Sequence, residues 1–254
     1  MRVAYAAATD VGRKRPENED SYCADPTLGL YLVADGMGGH AAGEVASKTV
    51  AETVRHFIVE TREDHDKTWP FPLDPTLSYA ANRLRVAILV ANRALVPLIE
   101  GDEQLRGMAT TISAVLLDED RAVISNVGDC RAYLIREGLI KQVTVDHSWV
   151  GEQIRAGLLT ADAAKTHPWR SMVTRAISGV PDLDVDIVEF GLRPGDTLVL
   201  CSDGLHGLVS DEEMAAAVRP GDGDLEAACR QLISLANERG GPDNITAILI
   251  QAQA

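Results

Sequence analysis

Leu30 to Ser47 reads LYLVADGMGGHAAGEVAS, and two hydrophobic periods meet inside it. Leu30, Tyr31, Leu32, Val33 and Ala34 form an unbroken apolar run, which predicts a buried strand of about five residues. The run stops at a carboxylate, Asp35, ahead of a glycine-rich turn containing Gly36, Gly38 and Gly39. Past His40 the spacing becomes helical, with Ala42, Val45, Ala46, Val50, Val54 and Phe57 on one stripe. An aspartate at the mouth of a buried strand can hold a hard metal ion, and a glycine beside it lets a main-chain carbonyl approach the same ion. Asp-Gly is equally a common hairpin turn. The two readings part on whether the chain repeats the design.

Residues 3–9 (VAYAAAT) read as a first strand. A polar segment follows in which Arg13, Lys14 and Arg15 precede Glu17, Glu19 and Asp20. Such a run is usually a solvated face. Its functional alternative is an anion-binding arginine next to metal-binding acids, because the planar guanidinium donates two hydrogen bonds to a phosphate at once. A helix beginning near Gly43 gives way to a charged, proline-broken loop over 60–77 and a second helix over 78–98. Four short strands over 110–145, joined by tight turns at Asp118–Asp120, Gly128–Asp129 and Glu137–Gly138, predict an antiparallel meander. Residues 146–179 are irregular and are the candidate mobile flap, with Thr160 as a helix cap. Two more strands follow, and the second ends in Ser202-Asp203-Gly204, a repeat of Ala34-Asp35-Gly36. Ser210 and Glu213 form a capping box, a last helix runs to Gly240, and Asp243-Asn244 precede a final strand. The expected architecture is α+β, one domain over 1–254 with two antiparallel sheets and helices outside.

Composition narrows the partners. The chain has 254 residues, 46% hydrophobic, with 38 acidic against 24 basic side chains and a net charge of -14. That excess disfavours a nucleic-acid partner, which needs phosphates neutralised, and suits a protein that spends acids on cations. Cys23, Cys130, Cys201 and Cys229 form no CxxC pair, so neither a zinc ribbon nor a disulfide framework is indicated. No signal-peptide pattern and no membrane-length apolar run is present, so a cytoplasmic protein is expected.

Asp20, Asp35, Asp129, Asp203 and Asp243 all stand at edges of apolar strands, with Glu19 as a sixth acid. Strand ends of one layered domain can converge, and acids packed together carry raised pKa values unless cations compensate them. Oxygen-only donors favour Mg²⁺ or Mn²⁺ over Zn²⁺. Two such ions can turn a bridging water into hydroxide and hold a phosphoryl group for in-line attack.

The motifs RPENED (15–20), VADGMGGHAAGEVAS (33–47), GMATT (107–111), SNVGDCRAY (125–133), VTRAISG (173–179), CSDGLHGLVSDEE (201–213) and GGPDNIT (240–246) occur in order. Together they resemble the bacterial branch of the type-2C, metal-dependent serine/threonine protein phosphatases, over nearly the whole chain. The resemblance implies an α-β-β-α four-layer sandwich. It implies that Asp35 bridges two metals with the Gly36 carbonyl on one, that Asp203 and Asp243 hold the other, and that Glu19 and Asp20 act through metal-bound water. Arg15 would grip the substrate phosphate, Asp129 with Asp203 would bind a third, weaker ion near the flap, and Asn244 would stand behind the ligands. His40 is either a general acid for the basic leaving group or a helix-start histidine with a structural hydrogen bond. His147 and His167 read as flap or loop residues. The implied partners are phosphorylated proteins and a serine/threonine kinase. Ala109, Cys130 and Ile177-Ser178-Gly179 depart from the family pattern, and none of these departures removes a ligand acid. Competing readings are a catalytically silent phosphoprotein-binding module, a hydrolase of small phosphoesters and a structural calcium-binding protein. The intact acids, the missing P-loop pattern, an aromatic content of 4% and the missing EF-hand loop weigh against these in turn.

Overall fold

The computed structural model describes residues 1–38, 42–63, 68–218 and 224–253. Its strands are β1 (Arg2–Asp10), β2 (Asp20–Asp25), β3 (Leu30–Met37), β4 (Ala109–Thr110), β5 (Ile112–Asp118), β6 (Arg121–Val127), β7 (Arg131–Arg136), β8 (Leu139–Gln142), β9 (Asp186–Gly191), β10 (Thr197–Cys201) and β11 (Ile245–Gln253). Its α-helices are α1 (Ala42–Glu63), α2 (Tyr79–Gly101), α3 (Trp149–Arg155), α4 (Ala161–Lys165), α5 (Asp203–His206), α6 (Asp211–Ala217) and α7 (Leu225–Glu238). One antiparallel sheet runs β1-β11-β10-β7-β8, the other β2-β3-β5-β6-β9, and β4 is a short addition beside β3.

Side-chain alternation sorts these strands into layers. Leu30, Leu32 and Ala34 of β3 pack with α1 and α2, through Val50, Val54, Leu84 and Ile88. Tyr31 and Val33, from the same strand, face the other sheet and meet Leu198, Leu200, Ile248 and Ile250. On the far side Val199, Cys201, Ala247 and Leu249 pack under α6 and α7, against Met214 and Leu232. The result is the expected α-β-β-α sandwich. Each fully buried Leu, Ile or Val contributes ~1.5–3 kcal/mol over its exposed state, so three apolar layers fix where every strand ends. The caps follow the sequence too: Ser78 accepts from the Ala81 amide and Thr160 from Ala163, and Ser210 and Glu213 close a full capping box.

The structure corrects three local expectations. β3 does not stop at Ala34: Asp35, Gly36 and Met37 remain in strand, with Gly36 opposite Thr110 and Met37 opposite Ala109. The hairpin reading of Asp35-Gly36 therefore does not hold at backbone level, and the strand ends two residues beyond Asp35, at Met37. Glycine is required because a Cβ at position 36 would overlap the Gly43 and Glu19 carbonyl oxygens. The 110–145 meander also breaks in two, since β5 and β6 belong to one sheet and β7 and β8 to the other. The chain crosses between sheets at Gly128-Asp129, where Gly128 has φ +105° and a Cβ would collide with Thr111. Finally, Asp203 does not repeat Asp35, because it opens the one-turn helix α5.

Candidate metal centre

The alternation that fills the layer between the sheets also places its acids. Asp35 shares the face of Tyr31 and Val33, and Asp20 is its direct cross-strand partner. Ionised carboxylates directly opposite one another repel, so this pair needs a cation or a proton. Across the layer, β10 runs on into Ser202-Asp203 and the β6–β7 crossover supplies Asp129. The apolar layer therefore ends in a wall of Asp20, Asp35, Asp129 and Asp203, with Glu19, Asp243 and Arg15 along its rim.

The wall is short of positive charge. Burial, then the charges of Asp20 and Asp203, push Asp35 well above the ordinary carboxylate range. Burial raises Asp20 to about 7 even though Thr246 Oγ1 (2.6 Å) and Ser202 Oγ (2.8 Å) donate to its Oδ2. Asp129 is raised to about 7 by burial and then by Asp203, and Asp203 to about 6 by burial and then by Asp243. Among the described residues, Asp20 Oδ1 and Asp203 Oδ1 are buried with no hydrogen-bond partner. Such orphans are costly, and a bound ion is a standard way to satisfy them.

The rim differs. Asp243 Oδ2 accepts from Arg15 Nη2 at 2.8 Å, and that contact, ahead of the opposing cost of burial, raises the Arg15 pKa. Arg15 remains half exposed, which leaves it free to exchange partners. Burial raises Glu19, whose carboxylate lies against Gly43. Its main chain is fixed by the Ser47 hydroxyl and the Gly36 amide on its carbonyl, and by Asn244 Oδ1, which accepts its N–H at 2.8 Å. Asn244 Nδ2 donates to Val11 O and Glu17 O, so this residue anchors the 11–19 loop, and its own N–H donates to Asp243 Oδ1 at 2.9 Å.

Among the described residues no three acids, histidines or cysteines form a ready-made cage for an ion. The chemistry nevertheless fits one. The donors are all oxygens, two are orphaned, and four acids are held as neighbours by strands of both sheets. Holding an ion asks only for side-chain rotation on a fixed frame. His40 lies outside the described residues.

Several supports were not legible in the sequence. Thr110 Oγ1 (2.8 Å) and the Thr111 amide (2.9 Å) both donate to the Asp35 carbonyl. His206 Nε2 donates to the Asp129 carbonyl at 2.9 Å, and burial, then Arg131, pushes its pKa down to about 3, so the ring is neutral. His147 holds the Gly128 peptide. Their common signal is a polar residue next to or soon after an acid-bearing strand end, a signal that ordinary turn and cap residues also give.

Residues 15–249 match the model of the family described as protein phosphatase 2C. The serine/threonine protein phosphatase PstP of Mycobacterium tuberculosis is 37% identical over 97% of this chain, which spans 44% of that protein's length. The serine/threonine phosphatase stp of Listeria monocytogenes is 34% identical, over 96% of this chain and 93% of its own. The crystal structure of the catalytic domain of PstP in complex with two manganese ions matches with a TM-score of 0.83 at 33% identity, over 99% of both chains.

Proposed function

The chain belongs to the protein phosphatase 2C family, and we propose that it is a metal-dependent phosphatase releasing phosphate from phosphoserine and phosphothreonine in proteins. The observation that carries this reading is the uncompensated wall. Four neighbouring aspartates are raised or orphaned where two sheets meet, and a hard dication is the partner their chemistry asks for. Mn²⁺ or Mg²⁺ would be held by Asp35, the Gly36 carbonyl, Asp203, Asp243 and Glu19, with Asp129 taking part in a third, weaker site. When bound, such ions neutralise phosphoryl charge and acidify the water they hold.

The residues of the chain supply the rest. Asp20, gripped by Ser202 and Thr246, is fixed in orientation and presents its carboxylate to water in the site as a proton acceptor. Arg15 leaves Asp243 to take two oxygens of the substrate phosphate and orients it for in-line attack. Residues 146–179 act as a flap over one side of this single catalytic domain. No helix among the described residues is long and apolar enough to cross a membrane. We place the enzyme in the cytoplasm, acting in signalling opposite a serine/threonine kinase.

The test is phosphate release from phosphothreonine, phosphoserine and phosphotyrosine peptides with Mn²⁺, with Mg²⁺ and with a chelator. Turnover of the first two that stops on chelation is expected. Silence on all peptides while calorimetry shows metal binding would sink the reading and favour a binding module.

A further inference from the structure

Asp129 stands on the tight crossover that carries the chain from β6 in one sheet to β7 in the other, and the Gly128 end of that crossover is held by His147. The clasp is double. The His147 amide donates to the Gly128 carbonyl at 2.9 Å, and the Gly128 amide donates back to His147 Nδ1 at 3.0 Å. An imidazole nitrogen that accepts carries no proton, so the ring proton sits on Nε2, which faces Asp186 Oδ2 at 3.1 Å. Arg175 completes the group, its Nη1 2.7 Å from Asp186 Oδ1 and 3.1 Å from His147 Nε2, so that Asp186 accepts from both side chains. Asn126 Nδ2 adds a third hydrogen bond to the same residue, at the Gly128 carbonyl.

The same histidine is the root of the flap. Ser148, the next residue, caps α3, and the returning limb is tied to the outgoing one by Thr174 N–H to the His147 carbonyl (2.8 Å) and by the Ser148–Val173 bridge. Beyond this root, α3 and α4 pack mainly on one another. Gly128 cannot yield on its other side, where Thr111 leaves no room even for a Cβ.

We infer that His147 is a positioning residue that aims the Asp129 carboxylate through the paired hydrogen bonds to Gly128 and couples that aim to the seating of the flap. The inference rests on the proposed role of Asp129 as an ion ligand. It differs from a merely structural role because it assigns the effect to one ring nitrogen and one ion site. His147→Asn keeps an acceptor near the place of Nδ1, whereas His147→Gln moves the polar group out toward the place of Nε2.

Calorimetric titration of the full chain with Mn²⁺ tests it, together with the Mn²⁺ dependence of peptide dephosphorylation. His147→Gln should weaken the weaker Mn²⁺ site by about tenfold, within the range for residues that orient a ligand. His147→Asn should retain most of the wild-type affinity. In an Asp129→Asn background His147→Gln should change Mn²⁺ binding no further, since residues acting through one another do not add. Equal loss in the Asn and Gln variants, no loss in Gln, or full additivity with Asp129→Asn would overturn the assignment. Asp129→Asn that binds Mn²⁺ like wild type would remove Asp129 from the ligands and the inference with it. That outcome is distinct from failure of the phosphatase reading, which appears as an inactive wild type.

Discussion

Two groups of aspartates in this molecule are similarly buried and opposite in character. Asp196 is 2% exposed, and Asp20 and Asp129 are each 8% exposed. Burial pulls Asp196 upward, yet Arg136 reaches it with Nε at 2.8 Å and Nη2 at 2.6 Å, and its net pKa falls below the ordinary range. Asp146 behaves alike: burial is offset by Arg131, again bidentate, at 3.0 and 2.7 Å. Asp20 and Asp129 have other aspartates near them instead, and both rise to about 7. An acid paired with arginine braces the fold, whereas acids left uncompensated wait for something the chain does not itself supply.

The largest expected effect breaks the uncompensated group. Asp203→Asn should lower turnover by about 10³-fold or more, ~4 kcal/mol at the usual 1.36 per decade. In chelator its melting temperature should rise, because one repelling charge is gone. Steady-state kinetics and thermal scans with and without metal check both signs, and full activity would remove Asp203 from the centre. The matched change in the other group is Arg136→Ala. It leaves Asp196 buried without its cation and should cost about 2 kcal/mol, less than the ~3–5 of a fully enclosed pair because Arg136 is partly exposed. Turnover should hold. Denaturant unfolding beside an activity assay measures this, and a stability cost in the wall variant with none here would reverse the comparison.

The two groups should also respond to pH with opposite signs. For Asp20, Asp129 and Asp203 the folded pKa of about 6–7 lies above the ordinary 3.8. Below pH 3.8 both states hold the proton and the contribution is fully present. As pH rises the unfolded chain ionises first, so stability drains away until the folded pKa is passed. For Asp146 and Asp196 the folded pKa lies below 3.8, so their contribution is present at neutral pH and is lost as pH falls through the folded value. Unfolding midpoints in chelator should therefore decline between about pH 4 and 7, and Mn²⁺ should abolish that decline. A chelated protein most stable at pH 7–8 would show that the wall is already compensated.

The sequence carries this contrast only partly. Apolar runs and caps place the sheets, the outer helices and even the Ser210–Glu213 box, because each is a local pattern with a local cause. The acids were visible as a set because each lies at the end of such a run. Their mutual arrangement was not, since it depends on long-range choices. Asp35 stays in strand because β2 pairs with it through Asp20 and the short β4, far along the chain, pairs with Gly36 and Met37 just beyond, and Asp129 sits on a sheet crossover that reads locally as a hairpin. The arginine partners were hidden for the same reason: Arg136 and Asp196 are 60 residues apart.

Arg15 and Asp243 test whether the rim belongs with the wall or with the braces. Their 2.8 Å contact is of the second kind, but Arg15 is half exposed and reaches Asp243 through one nitrogen only. A brace removed should cost stability and spare catalysis, whereas a phosphate ligand removed should do the reverse. Arg15→Ala is expected to raise KM for phosphopeptides about tenfold, or ~1.4 kcal/mol, with a smaller change in kcat and almost none in melting temperature. Unchanged KM with lowered stability would move Arg15 into the company of Arg136, leaving the substrate phosphate to be held by bound metal alone.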